Sequence, residues 1–318
     1  MKKYKFFAFL IICVLIFFTL IGCGGGGGGS SGGGSSPAPA PTPTPTPADK
    51  GELITITMPD GSAVAVIAGV TEYPEGYSLS YTANDALDLR NSLVGSALWA
   101  GATVVSNSDV DVTRAMIENA VTDAKNNIAA DGLFLFMFSG HGGSSEETGY
   151  LIPYDGITDA SKRISENDLQ SWLEAFPAGA KKYVLIDSCY SGLFIDKDLE
   201  NYFGLKPKTI QFKDSNPYYS ADKFIKSLVG VANTYAMTAS RGNELSYETS
   251  TLQNGVFMYY VVQGLGEGAT IGPADVGPTD GTITAEKLTV YVPPLVTSYI
   301  ASQHPQSYDN YEENMRVK

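Results

Sequence analysis

Hydrophobic and polar positions alternate along this chain in blocks rather than residue by residue. Ala63-Val64-Ala65-Val66-Ile67-Ala68-Gly69 is a continuous apolar run of strand length, and Gly132 to Phe138 and Tyr183 to Asp187 repeat the pattern. Ala102 to Val105 and Thr234 to Thr238 are shorter candidates. Between them lie segments with helical spacing. Thr82 to Leu98 places Ala83, Ala86, Leu87, Leu89, Leu93, Val94 and Leu98 at helical intervals, and Val112 to Ile128 does the same with Ala115, Met116, Ala120, Val121 and Ala124. Ser165 to Leu173 predicts a short helix with Ser165 as N-cap and Asp168 at its third position. Phe257 to Leu265 and Ala285 to Ile300 predict two more, the second interrupted at Pro293-Pro294. Uniformly apolar strands alternating with amphipathic helices predict an α/β fold, a mostly parallel sheet covered on both faces.

The ends of the chain break this pattern. Lys2, Lys3 and Lys5 precede an apolar run from Phe6 to Leu20, which is short for a membrane span and fits a secretory signal. Leu20-Ile21-Gly22-Cys23 resembles a bacterial lipobox. That resemblance implies a signal over residues 1–22, lipidation of Cys23, and export to a membrane, the outer one in a Gram-negative cell. A plain signal peptide is the alternative. Gly24 to Ser36 is nearly pure Gly and Ser, and Pro37 to Pro47 favours polyproline II, so residues 23–50 read as a tether. The folded domain is expected over 51–318. Phe194 to Gly230 lacks periodicity and carries Lys197, Lys206, Lys208, Lys213, Lys223 and Lys226; it reads as a long excursion between strands.

The formal net charge is −13, and removing a signal with three lysines makes it more negative. An acidic chain is a poor nucleic-acid binder; it suits basic peptides or divalent cations, or simply stays soluble. With Cys13 in the signal and Cys23 acylated, Cys189 has no partner, so a disulfide framework is excluded. Two separated histidines and one thiol exclude a zinc site.

Cys189 follows one apolar run, in Asp187-Ser188-Cys189-Tyr190-Ser191-Gly192. His141 follows another, in Phe138-Ser139-Gly140-His141-Gly142-Gly143. In open parallel sheets, ligands bind beyond the carboxyl ends of the strands. If the two strands are neighbours, thiol and imidazole share one crevice, where the imidazole serves as base and then as acid. The N–H groups of Gly142 and Cys189 are candidate oxyanion donors. A buried inert cysteine is the ordinary alternative. The reading requires the two groups within reach of each other and the sulfur open to solvent. A serine hydrolase using Ser188 or Ser191 lacks the Gly-x-Ser-x-Gly elbow.

These two signatures resemble those of caspase-like cysteine peptidases, in the metacaspase and orthocaspase branch. Ala65 to Val70, Tyr81 to Ala86, Met237 to Glu244 and Gly255-Val256-Phe257 match further, so the resemblance covers about Ala63 to Ile300. It implies a six-stranded caspase-hemoglobinase sheet flanked by helices and a His141/Cys189 dyad acting through a thioester. It also implies a primary-specificity pocket built from Asp85 and Asp187 with Ser139 nearby, selecting Arg or Lys. Asp85 also reads as an ordinary helix-start acid, and Asp187 as a turn acceptor for Ser191. The family often uses calcium; matching positions are Glu166, Asn167 and Asp196, with Glu146 or Glu147 beside them. No other cofactor is expected. The excursion lysines match a self-processing linker. The rival reading is a catalytically inactive caspase-like surface lipoprotein that serves as a scaffold.

Overall fold

The computed structural model describes residues 50–145, 148–189, 204–210, 224, 227–228, 230–242 and 244–318. All of them lie in one compact unit, Pro45–Lys318. The predicted signal, Cys23 and nearly all of the tether lie outside the described residues, as do Glu146, Glu147, Ser191, Asp196, Lys197, Lys213, Lys223 and Lys226.

The chain opens with β1 (Gly51–Thr57), which folds back on β2 (Ala63–Val70) before α1 (Thr82–Leu93). Next come β3 (Thr103–Ser108), α2 (Arg114–Asn127) and β4 (Leu133–Ser139). A small antiparallel sheet follows, β5 (Gly142–Ser145), β6 (Thr148–Leu151) and β7 (Ile164–Ser165), leading into α3 (Glu166–Glu174) and β8 (Lys181–Asp187). β9 (Leu205–Pro207), β10 (Thr234–Thr238), β11 (Tyr247–Thr249), β12 (Asn254–Gly255), α4 (Val256–Leu265), α5 (Ala285–Tyr299) and β13 (Gln306–Asn310) complete the domain.

The main sheet has seven strands, ordered β13-β10-β8-β4-β2-β1-β3. Its four central strands, β10, β8, β4 and β2, run parallel, and the outer ones pair antiparallel. The expected six strands are therefore exceeded. β13 is a polar edge strand with a neighbour on one side only, and β1, paired on both sides with β2 and β3, mixes Glu52, Thr55 and Thr57 with Leu53, Ile54 and Ile56, so neither stands out as an apolar run. Successive side chains of a strand point to opposite faces, and β4 shows what that does. Leu133, Leu135 and Met137 join the core under α1, α4 and α5, whereas Phe134, Phe136 and Phe138 join the core under α2 and α3.

Other departures from expectation have local causes. α1 stops at Leu93 because Val94 is extended and Gly95 takes φ +89°, a conformation open to glycine. α5 runs unbroken through Pro293 and Pro294. The prolines fall on its outer side, while Leu288, Val292 and Val296 stay buried and keep the helix packed. The α3 start is as expected: Ser165 Oγ accepts from the Asp168 N–H, and Asp168 returns the bond to Ser165, a reciprocal cap. None of the helices among the described residues is long and apolar enough to cross a membrane.

Candidate active site

β4 and β8 are adjacent and parallel, with Ser139 opposite Asp187. His141 lies two residues past the end of β4 and Cys189 two past the end of β8. The sheet therefore delivers both to one edge, at the carboxyl ends of the strands. The backbones interlock there. A Cβ on Gly142 would overlap the Cys189 carbonyl, so only glycine fits.

The imidazole is fixed on two sides. Its Nε2 lies 2.6 Å from the Tyr77 carbonyl oxygen. A carbonyl only accepts, so Nε2 carries the proton and Nδ1 is the free base; Nδ1 is buried without a hydrogen-bond partner. The Tyr73 ring packs against the imidazole with centroids 4.7 Å apart. The Tyr73 hydroxyl accepts from the His141 N–H at 2.9 Å and donates to the Ile152 carbonyl at 2.8 Å. Burial lowers the His141 pKa to about 4; the Lys206 and Lys208 charges push the same way, against the Tyr77 carbonyl.

Cys189 is fully buried, so the expected solvent access is not met in this conformation. Its Sγ accepts from the Ser246 N–H at 2.6 Å and donates to the Ser246 carbonyl at 3.2 Å. Burial raises its pKa to about 12, with the Asp187 charge adding to it against the Ser246 N–H. No hydrogen bond joins thiol and imidazole among the described residues; both are neutral at pH 7 and turned to backbone partners.

The cover is the chain's own 204–210 segment. β9 pairs antiparallel with β11, Pro207 facing Tyr247 and Lys206 facing Glu248. Lys208 then enters the site. Its carbonyl oxygen accepts from the Gly142 N–H at 3.1 Å and the Cys189 N–H at 3.2 Å, and its own N–H donates to Ser246 at 2.9 Å. The two predicted oxyanion donors thus converge on a single carbonyl.

The Lys208 side chain runs into a pocket holding the three predicted specificity residues. Its Nζ lies 2.9 Å from Asp85 Oδ2, 2.8 Å from Ser139 Oγ and 3.0 Å from Asp187 Oδ2, with both ends of each ion pair fully buried. The contact with Asp187 is ionic rather than an aligned hydrogen bond, since Oδ2 has no hydrogen-bond partner. Asp187 Oδ1 instead accepts from Ser246 Oγ at 2.5 Å, and its pKa is raised chiefly by burial. Burial opposes the Lys208 charge, but Asp187 and Asp85 outweigh it and hold its pKa above the ordinary lysine value. Asp85 sits in the first turn of α1, as a helix-start acid would. Its Oδ1 accepts from the Gly255 N–H at 2.8 Å and from Asn254 Nδ2 at 3.2 Å.

Several contributors escaped the sequence reading. Gly255 floors the pocket: a Cβ there would overlap Asp187 Oδ2 and Lys208 Nζ. Buried Glu248 accepts from the Ser80 and Tyr81 N–H groups and adds negative charge near Lys208. Ser246 touches the thiol, Asp187 and the Lys208 backbone together. The apolar-run signal could not reveal these residues, because they come from short strands far along the chain or from the residue just before one. Of the calcium candidates, Glu166 is buried and accepts from the Gly149 N–H, and Asn167 is exposed. Among the described residues no group of three or more His, Cys, Asp or Glu side chains is arranged to hold a metal.

A parallel α/β sheet that presents a histidine, a cysteine and a carboxylate-lined pocket at one edge defines a thiol-peptidase type of architecture. The caspase domain family profile matches residues 62–290, and the chain belongs to that family, whose members are of the cysteine-peptidase type. The chain is also similar in structure to the protein GSU0716 from Geobacter sulfurreducens, with 15% identity and a TM-score of 0.41, over 62% of this chain and 73% of that one. No curated protein matches it.

Proposed function

We propose that the chain is an exported cysteine endopeptidase that cleaves after lysine or arginine. Cys189 is the nucleophile and His141 Nδ1 its base. The observation that carries the reading is the seating of Lys208: its ammonium lies between Asp85 and Asp187 while its carbonyl meets the Gly142 and Cys189 N–H groups. A lysine held this way has the register of a substrate residue preceding the scissile bond. Paired carboxylates favour a cation there and repel an aspartate.

When the site opens, Nδ1 takes the thiol proton and the thiolate attacks the substrate carbonyl. The two N–H groups stabilise the developing oxyanion. The imidazolium protonates the departing amine, and water then hydrolyses the thioester. Lipidation of Cys23 would hold the enzyme on a bacterial membrane through the Gly/Ser- and Pro-rich tether.

The test is turnover of fluorogenic peptides ending in Arg, Lys or Asp. Cleavage of the basic pair alone, lost in Cys189→Ala, is expected; turnover retained in that variant would overturn the assignment. One observation favours the scaffold reading, the burial of Cys189. A peptidyl-arginine electrophile separates the two, because a scaffold that never opens leaves the thiol unlabelled. Palmitate incorporation, lost in Cys23→Ala, tests the anchor.

A further inference from the structure

The Lys208–Thr209 bond is gripped on both sides. Upstream, β9 is zipped to β11, and Lys206 Nζ donates to the Ser78 carbonyl at 2.5 Å. Downstream, Thr209 bridges to Gly142 and is buried. The Ile210 N–H donates to the Gly142 carbonyl at 3.1 Å, and the Ile210 side chain, 2% exposed, is sunk in the core under α2 and α3. Phe224, Leu228 and Val231 join that core further along, and β10 then lies within the main sheet. An ordinary leaving group diffuses away after acylation. Here it has several anchors.

We infer that the Leu205–Ile210 segment is a built-in inhibitor that reacts reversibly with its own site, because the half of the chain that should leave stays bound. The inference rests on the dyad and pocket proposed above. In the forward step the Cys189 sulfur bonds to the Lys208 carbonyl carbon, the bond to the Thr209 nitrogen breaks, and that nitrogen takes its proton from His141. The thioester then has two possible acceptors. Water yields a Lys208 carboxylate and a permanent cut. The retained Thr209 amine re-forms the peptide, returns the sulfur as leaving group and gives its extra proton back through His141. An anchored amine has an effective concentration far above that of a diffusing one. Resynthesis therefore outruns hydrolysis, and the intact, covered form persists. The opening beside His141, about 120 Å3 and lined in part by Tyr77, Lys206 and Thr209, is small.

The sign of one mutation separates this arrangement from a simple processing site. If Ile210 only helps present the bond, loosening it slows self-cleavage. If it retains the leaving amine, loosening it speeds the permanent cut. The experiment follows the purified full-length protein by mass spectrometry at the Lys208–Thr209 bond. Ile210→Ala and the milder Ile210→Val are compared with the wild type, and Cys189→Ala is the blank. The permanent cut is expected to accelerate about tenfold or more in Ile210→Ala and less in Ile210→Val. Independently of folding in the variants, dilute hydroxylamine added to the wild type should capture the thioester and leave a Lys208 hydroxamate. Equal or slower cutting in both variants, with no hydroxamate, would overturn the inference while peptide turnover still stood. Failure of the wild type to react with a peptidyl-arginine electrophile would overturn both.

Discussion

Replacing Lys208 by alanine removes the one cation between two buried carboxylates. Its Nζ contacts Asp85 and Asp187 at 2.9 and 3.0 Å, and all three side chains are shielded from water. Breaking a buried ion pair by deleting one partner costs about 3–5 kcal/mol, because the remaining charge is left uncompensated. In the proposed enzyme the covering segment leaves, and the carboxylates then rehydrate. The cost therefore falls on docking rather than on the sheet. At about 1.4 kcal/mol per decade, docking should weaken by roughly two to three and a half orders of magnitude. The assay is the rate of Cys189 alkylation by iodoacetamide near neutral pH, read by peptide mapping. Labelling should rise about 100-fold or more in Lys208→Ala and stay slow in Lys208→Arg, which keeps the charge. A folded Lys208→Ala protein that labels at the wild-type rate would refute the argument that this ion pair holds the cover in place.

Other outcomes follow from the same geometry. Gly255→Ala puts a methyl where the ammonium sits, so kcat/KM for Arg and Lys peptides should fall about 100-fold or more, checked against alkylation of Cys189 by a small reagent, which should persist. Tyr73→Phe leaves the His141 N–H without its acceptor and loosens the ring; a loss of about 1–3 kcal/mol in stability is expected by denaturant titration, with kcat falling more than KM changes. The pH profile of stability should fall at both ends. An unfolded imidazole takes up a proton near 6.5 but the buried one only near 4, so denaturant titrations should lose about 3 kcal/mol between those values as the pH drops. An unfolded thiol ionises near 9 and the buried one near 12, so a comparable loss is expected as the pH rises across that range; a flat profile in Cys189→Ser would assign it.

The buried strands and the placement of His141 and Cys189 at one end of the sheet were legible because each signal is local. An unbroken apolar run marks β2, β4 and β8, and a residue that follows such a run must emerge at the strand's carboxyl end. The Ser165–Asp168 cap was legible for the same reason. β1 and β13 were not, since β13 is a polar edge strand and β1, antiparallel to both its neighbours, mixes polar with apolar residues. The occupant of the pocket was also hidden. Lys208 was one of six lysines in a stretch without periodicity, and nothing within four residues of it says that its partners lie 123 and 21 positions upstream, at Asp85 and Asp187. Gly255 and Glu248 share that difficulty: each acts through a contact across the fold.

The same segment that fills the pocket also bears on the charge of His141 and Cys189. Burial is the largest cause both of the lowered His141 pKa and of the raised Cys189 pKa. Lys206 and Lys208 add positive charge near the imidazole, which further disfavours its protonation. Undocking 204–210 rewets both groups and carries away both lysines. The imidazole then rises toward its ordinary value, the thiol falls toward its own, and the gap between them narrows from both sides. The thiolate–imidazolium pair that the proposed attack requires is disfavoured while the cover is docked, which slows attack on Lys208 itself as on any other substrate, and is favoured once the cover has gone. Steric occlusion and loss of nucleophilicity are thus two consequences of one docking event. A variant that opens the segment should gain thiol reactivity beyond what access alone provides. The pH dependence of Cys189 alkylation distinguishes them: in Lys208→Ala its midpoint should move from near 12 to well below that value, whereas an unshifted midpoint with a faster plateau would mean that only access had changed.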